Sequence, residues 1–130
     1  MVSSDNKQYI FKVKSLKDNQ RFDYDFSLSA EELDYDDVEK INSLHVKGLF
    51  KPFSNQVRLD LEIDGELVLV DARDFVSFNY HLNINSDIIL SGDENVMYDY
   101  PITDVINLKD IVIGEIIINL PTPPLREVEE

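Results

Sequence analysis

From Val57 to Asp64 the chain alternates without a break, with Val57, Leu59, Leu61 and Ile63 set against Arg58, Asp60, Glu62 and Asp64. Successive side chains of a β-strand point to opposite faces, so as a strand this stretch buries one clean apolar face. Wound as a helix, it would scatter the same groups around its circumference. A second apolar run, Leu67 to Val70, follows Asp64-Gly65, and Asp-Gly between two such runs predicts a tight hairpin turn at that point. Behind it stands Asp71-Ala72-Arg73-Asp74, two acids around one arginine.

Other segments carry weaker versions of the same signal. Residues 9–13 mix aromatic and β-branched side chains and read as a first strand. Phe22, Tyr24, Phe26 and Leu28 alternate with Asp23, Asp25 and Ser27. Ser29 and Glu32 have the spacing of a capping box, which predicts a short acidic helix over residues 30–39. His45 to Phe50 suggests a further strand that Pro52 interrupts or places at an edge, and Phe75 to Tyr80 another. Residues 91–100 are polar and read as a mobile loop.

Residues 107–120 stay balanced between two readings. Their β-branched density argues strand. An Asn107 cap, Asp110 after it, and apolar residues at Leu108, Ile111, Val112, Ile116 and Ile117 argue helix. Gly114 would cost such a helix about 1 kcal/mol relative to Ala.

At 130 residues the chain suffices for one domain with its own core, spanning 1–130. A basic segment at 1–20 opens it and a proline-rich, charged tail at 121–130 closes it. There is no apolar run of the length that spans a bilayer, roughly 18 residues, and the first residues lack the apolar stretch of a secretory signal. With no cysteine and two histidines, thiolate metal sites are excluded. A cytoplasmic protein with no membrane partner and no cofactor is expected.

The net charge of −14 repels nucleic acid and anionic lipid on average and attracts basic partners. It is distributed in blocks. Residues 23–39 hold Asp23, Asp25, Glu31, Glu32, Asp34, Asp36, Asp37 and Glu39 with no base, while residues 40–59 hold Lys40, Lys47, Lys51 and Arg58 with no acid. Catalysis finds little support. Neither His45 nor His81 stands in a recognisable nucleophile–base pattern, and Gly48, Gly65, Gly92 and Gly114 are isolated rather than gathered into a phosphate loop.

The ordered set of Val46-Lys47-Gly48, Gly65-Glu66-Leu67-Val68-Leu69, the cluster at residues 71–74, Tyr100-Pro101-Ile102, Ile106-Asn107-Leu108, Glu115-Ile116-Ile117 and Leu120-Pro121 with Pro124-Leu125 resembles the YceD family. These are the large ribosomal RNA subunit accumulation proteins of bacteria and plastids. The resemblance covers roughly residues 44–126 and implies a helix after Asn107. It also implies a non-catalytic role in large-ribosomal-subunit biogenesis. Members of that family commonly carry Cys-x-x-Cys where this chain has Asp71 to Asp74, and further cysteines in the tail. The resemblance therefore implies a structural metal that this chain has lost together with its ligands. Two aspartates do not replace thiolates for zinc, and a hard cation wants about six or more oxygens. Asp71 and Asp74 are expected to cap a turn and pair with Arg73, with no metal, so that changing either leaves the fold intact.

Two binding surfaces follow. Lys47, Lys51, Arg58 and Arg73, close to Phe50 and Phe53, would suit large-subunit rRNA as cations interleaved with rings. Asp34, Asp36, Asp37 and Glu39 would suit a basic large-subunit ribosomal protein, and weigh slightly more given the net charge. An acidic interaction adaptor unrelated to ribosomes is the alternative, and the oligomeric state is left open. The expected fold is α+β: a strongly twisted antiparallel sheet, open or barrel-like, with the short acidic helix and a C-terminal helix near 108–119 packed on it. Its expected core is Phe11, Phe22, Phe26, Val46, Leu59, Leu61, Ile63, Leu67, Leu69, Phe78, Ile111, Val112 and Ile116.

Overall fold

The alternating stretch becomes part of one 15-residue strand, Gln56–Val70, rather than half of a hairpin. The structure is a computed structural model and describes residues 9–33, 35–53, 56–93, 97–102, 104–121 and 123–125. Its elements are β1 (Ile10–Lys12), β2 (Gln20–Asp25), α1 (Ala30–Leu33), β3 (Val38–Phe53), β4 (Gln56–Val70), β5 (Ser77–Ser91), β6 (Tyr100–Pro101), β7 (Val105–Asn107) and α2 (Leu108–Asn119). The order β2-β3-β4-β5-β6 forms a five-stranded sheet. It is antiparallel except for β6, which runs parallel to β5 over two residues, and β1 pairs with β7 in a separate ribbon. β2 and β6 do not meet, so the sheet is open and the barrel-like alternative is not realised.

Why Asp64-Gly65 does not turn is a matter of register. Phe53 already faces Gln56, so β3 and β4 are joined there, and Gly65 lies mid-strand opposite Leu44 and Leu82. No described glycine has a positive φ, which a turn of the expected type requires. Gly65 serves a close approach instead. A Cβ there would fall 2.8 Å from the Ser43 carbonyl oxygen, beside the bulge between Ile41 and Ser43.

Burial alternates along the whole of β4. Val57, Leu59, Leu61, Ile63, Leu67 and Leu69 face inward, and Arg58, Glu62, Asp64 and Glu66 are exposed on the other side. α2 covers the inward face with Leu108, Ile111, Val112 and Ile116. Tyr9, Phe11, Phe22, Tyr24, Phe26 and Phe50 form an aromatic cluster at the β1–β2 end, with the Tyr9 and Phe26 rings stacked at 4.1 Å. Phe11 and Phe78, expected in the core, are only partly buried against it. Leu44, Leu82, Ile84, Ile88, Leu90 and Ile106 are core residues that the expected set lacked.

Three boundaries differ from expectation. Ser29 and Glu32 do form a reciprocal capping box, but the helix ends at Leu33. Val38 is buried and opens β3, and the Asp37 carbonyl accepts the Val70 N–H, so sheet pairing captures the residues a longer helix would have used. Phe75 and Val76 lie in the β4–β5 connection, with Phe75 at φ 62°, and the strand begins at Ser77. Of the stretch read as a loop, Ser91 ends β5 and Tyr100 opens β6, while residues 94–96 lie outside the described residues.

Pro52 stays within β3 without breaking it. The Phe26 N–H donates to the Leu44 carbonyl, so even-numbered residues of β3 face β2, and β2 has ended opposite Phe50. The proline nitrogen therefore faces no strand partner. The helix after Asn107 spans the expected residues, although the Asn107 side chain makes no capping hydrogen bond. Gly114 lets the helix pass Tyr100, whose hydroxyl would lie 2.7 Å from a Cβ at that position.

Candidate functional site

The inward sides of β2–β5 are filled with apolar residues, and most charged side chains of these strands stand on the outward side. The register lines the outward residues into rows: Asp25, His45, Asp64 and Asn83; Asp23, Lys47, Glu62 and Asn85; Arg21, Leu49, Asp60 and Asp87. Across the last two rows runs an open groove of about 820 Å³, bordered by Arg21, Asp23, Lys47, Asp60, Glu62 and Asp87.

Opposite charges pair throughout this face. Lys47 lies 3.2 Å from Glu62, Lys51 2.9 Å from Asp60 and Arg58 2.8 Å from Asp87, with all six side chains about half exposed. His45 sits between Asp23 and Asp25 at 2.7 Å from each, and His81 between Asp64 and Glu66 at 2.8 and 2.6 Å. Both imidazoles are held above their ordinary pKa. Hydrogen bonding to Asp25 is the main cause for His45, and hydrogen bonding to Glu66 for His81, with the second acid adding a coulombic pull in each case.

Three of the expected RNA-contacting cations, Lys47, Lys51 and Arg58, do share this face, with exposed Phe53 following at the end of β3. Arg73 does not join them. It lies past the far end of β4, bonded to Asp71. Each of the four has an acid as partner, and the face as a whole carries more acid than base.

The expected acidic surface disperses. Asp34 lies outside the described residues. Asp36 and Asp37 occupy the turn before β3, and Glu39, within β3, accepts a hydrogen bond from Ser77 at 3.0 Å. Of the acids that are gathered, Asp23, Asp25, Asp60, Glu62, Asp64 and Glu66 were legible as period-two acids within β2 and β4, whereas Asp87 joins them from β5 through its register with Asp60. A turn at Asp64-Gly65 would have divided that row.

The 71–76 connection holds a turn as expected, but its two acids differ in kind. Asp71 is fully buried and accepts from the Arg73 backbone N–H at 2.8 Å, from Nε at 3.1 Å and from Nη2 at 2.8 Å. Asp74 is exposed and accepts the Val76 N–H at 3.1 Å. Asp71 thus carries more of the hydrogen bonding of this turn than Asp74, and its replacement is expected to cost more. Among the described residues no group of three or more histidines, aspartates and glutamates is placed to hold a metal ion.

A second buried polar group was not foreseen. Ser86 and Tyr100 donate to the Glu115 carboxylate at 2.8 and 2.7 Å where α2 crosses β5 and β6. Burial, and then the neighbouring Glu115, push the Tyr100 hydroxyl far above its ordinary pKa. On the other flank of α2, Lys109 pairs with Glu32 of α1, and that hydrogen bond is the main reason the Glu32 carboxyl lies below its usual range.

No protein-family model matches the chain, and no solved structure does. Among curated proteins it is similar to one of Bacillus subtilis (strain 168) that bears the name Uncharacterized protein YlbN. The two are 29% identical over 122 residues, which cover 85% of this chain and 69% of that protein. Among the described residues no helix is long and apolar enough to cross a membrane.

Proposed function

We propose that this chain is a non-catalytic binding module acting in the cytoplasm in large-ribosomal-subunit biogenesis, and that it holds a basic segment of a large-subunit ribosomal protein on the outward face of its sheet. The ribosomal setting rests on the YceD resemblance. The preference for a basic protein over RNA rests on one observation: Lys47, Lys51, Arg58 and Arg73 are each engaged by an acid of the chain itself. A phosphate backbone would have to compete for them against a net charge of −14. Acids outnumber bases on this face, so incoming lysines or arginines meet a net negative surface around an open groove, and association would be fast and salt-sensitive.

The test is a tagged pull-down from native lysate, with and without RNase and then with rising salt. A ribosomal protein retained after RNase, released by salt and lost from Asp60→Asn/Glu62→Gln is the expected result. Large-subunit rRNA recovered only without RNase, with no basic protein, would favour RNA contact at Lys47, Lys51 and Arg58. A basic partner unconnected with ribosomes would leave an acidic adaptor.

A further inference from the structure

Among the described residues β5 has a strand partner along one side only for most of its length. Its ladder with β4 is regular from Ser77 to Ser91, so backbone groups alternate strictly between the two edges. On the β4 side the Asp71 N–H donates to the Val76 carbonyl at 2.9 Å. On the other side Asp99 donates to Ile89 at 2.8 Å and Ile102 to Ser91 at 3.1 Å. Odd-numbered residues of β5 therefore aim N–H and C=O away from β4. At Ile89 and Ser91 the segment around β6 engages this edge. At Asn79, His81, Asn83, Asn85 and Asp87 no described residue meets them.

Open edges are normally blunted by brevity, bulges, proline or lysine. The opposite edge, β2, is six residues long and carries Arg21, Asp23 and Asp25. Residues 78–88 of β5 contain no proline and no lysine, and the ladder there has no bulge. An edge of this length left unblocked is a template for another strand.

We propose that the edge of β5 between Asn79 and Asp87 takes an extended basic polypeptide segment as an added strand. This rests on the reading of the chain as a binder of basic segments and names how the segment is held. Charge selects the occupant. The outward side chains of β5 here are mostly uncharged, with Asn85 donating to Asn83 at 3.2 Å, and the acidic row Asp60, Glu62, Asp64 and Glu66 lies one strand further in. At strand spacings of about 4.8 Å, lysines or arginines on an added strand reach over the asparagines to that row. Inward, Ser86 bonded to Glu115 places α2 beneath β5, and Ile118, one turn on from Glu115, is exposed. The segment therefore alternates basic and apolar residues. A second copy would bring the same acidic face and another −14 of charge, which disfavours self-pairing.

The experiment is a fluorescence-anisotropy titration of the unaltered protein with a peptide of about ten residues alternating lysine and valine. Two further versions are N-methylated at every second residue, one in each frame. An added strand uses the donors on one of its edges, so methylation in one frame is expected to weaken binding about tenfold or more while the other frame binds nearly as the parent. The largest amide NMR shifts should fall on residues 79–87. Asn83→Pro, which removes an N–H that β4 does not use, should weaken the parent peptide similarly. Should that variant fail to fold, the methylated pair decides.

Equal binding in both frames, with shifts centred on Asp23, Lys47 and Glu62, would overturn the edge and leave the acidic face as the binding surface. No binding of any version at low salt would remove both. A dimer in sedimentation that Asn83→Pro dissolves would put a second copy on the edge and overturn the basic occupant.

Discussion

The two faces of one sheet behave as different materials. Inward residues of β4 are almost wholly buried in an apolar core. Outward residues of the same strand, one position along, form charge pairs about half open to water. A step of one residue thus changes the energetic weight of a side chain several-fold, because apolar burial accumulates over many contacts whereas a solvated ion pair trades water for a partner of similar worth.

The largest test of this contrast is Leu61→Ala or Ile116→Ala, both essentially fully buried. Each should cost about 2–5 kcal/mol in denaturant unfolding, and a cost under ~1 kcal/mol would mean that the core is not packed as described. Asp71→Ala comes next. It deletes the buried carboxylate that accepts three hydrogen bonds from half-exposed Arg73, for an expected loss of roughly 1–3 kcal/mol, whereas Asp74→Ala should change stability by only a few tenths of a kcal/mol.

Tyr100→Phe probes the polar contact inside the core and should cost about 1 kcal/mol at neutral pH. It also has a pH signature. The folded hydroxyl holds its proton above the ordinary value of 10.0, so its contribution is complete below pH 10 and is lost as the unfolded chain ionises at higher pH. The wild-type protein should therefore lose stability above pH 10 more steeply than Tyr100→Phe.

On the outward face, Lys47→Ala or Arg58→Ala should fall within about 1 kcal/mol of wild type, and less at high salt. A larger loss would make the exposed pairs structural and erase the contrast. The smallest effect is a titration. His45 and His81 should show NMR midpoints above 6.5, and Asp25→Asn should bring His45 back toward that value. Their stabilising contribution is complete below 6.5 and fades as pH rises through the folded midpoints.

Much of this was legible in the residues. Strict alternation identified the first half of β4 and its buried face, and Ser29 with Glu32 marked the start of α1. Misreadings came where a strong local signal met a longer-range one. Asp64-Gly65 is good turn chemistry, yet pairing along β3 and β5 outweighs it, and the same pairing draws Val38 out of the expected helix. On the outward face, the sequence names Lys47, Lys51 and Arg58 but not their partners, since each meets an acid on the neighbouring strand.

The sequence by itself determined which residues of each strand could face a core, that the chain is strongly acidic, and that glycines at 65 and 114 had to be accounted for. Only the tertiary structure decided what those glycines were for, which acid neutralises which base, and that one edge of β5 meets no strand among the described residues over positions 79–87. Periodicity is a property of neighbouring residues and can be read along the chain. Register and edge exposure are set by strands tens of residues apart, and they exist only once those strands have paired.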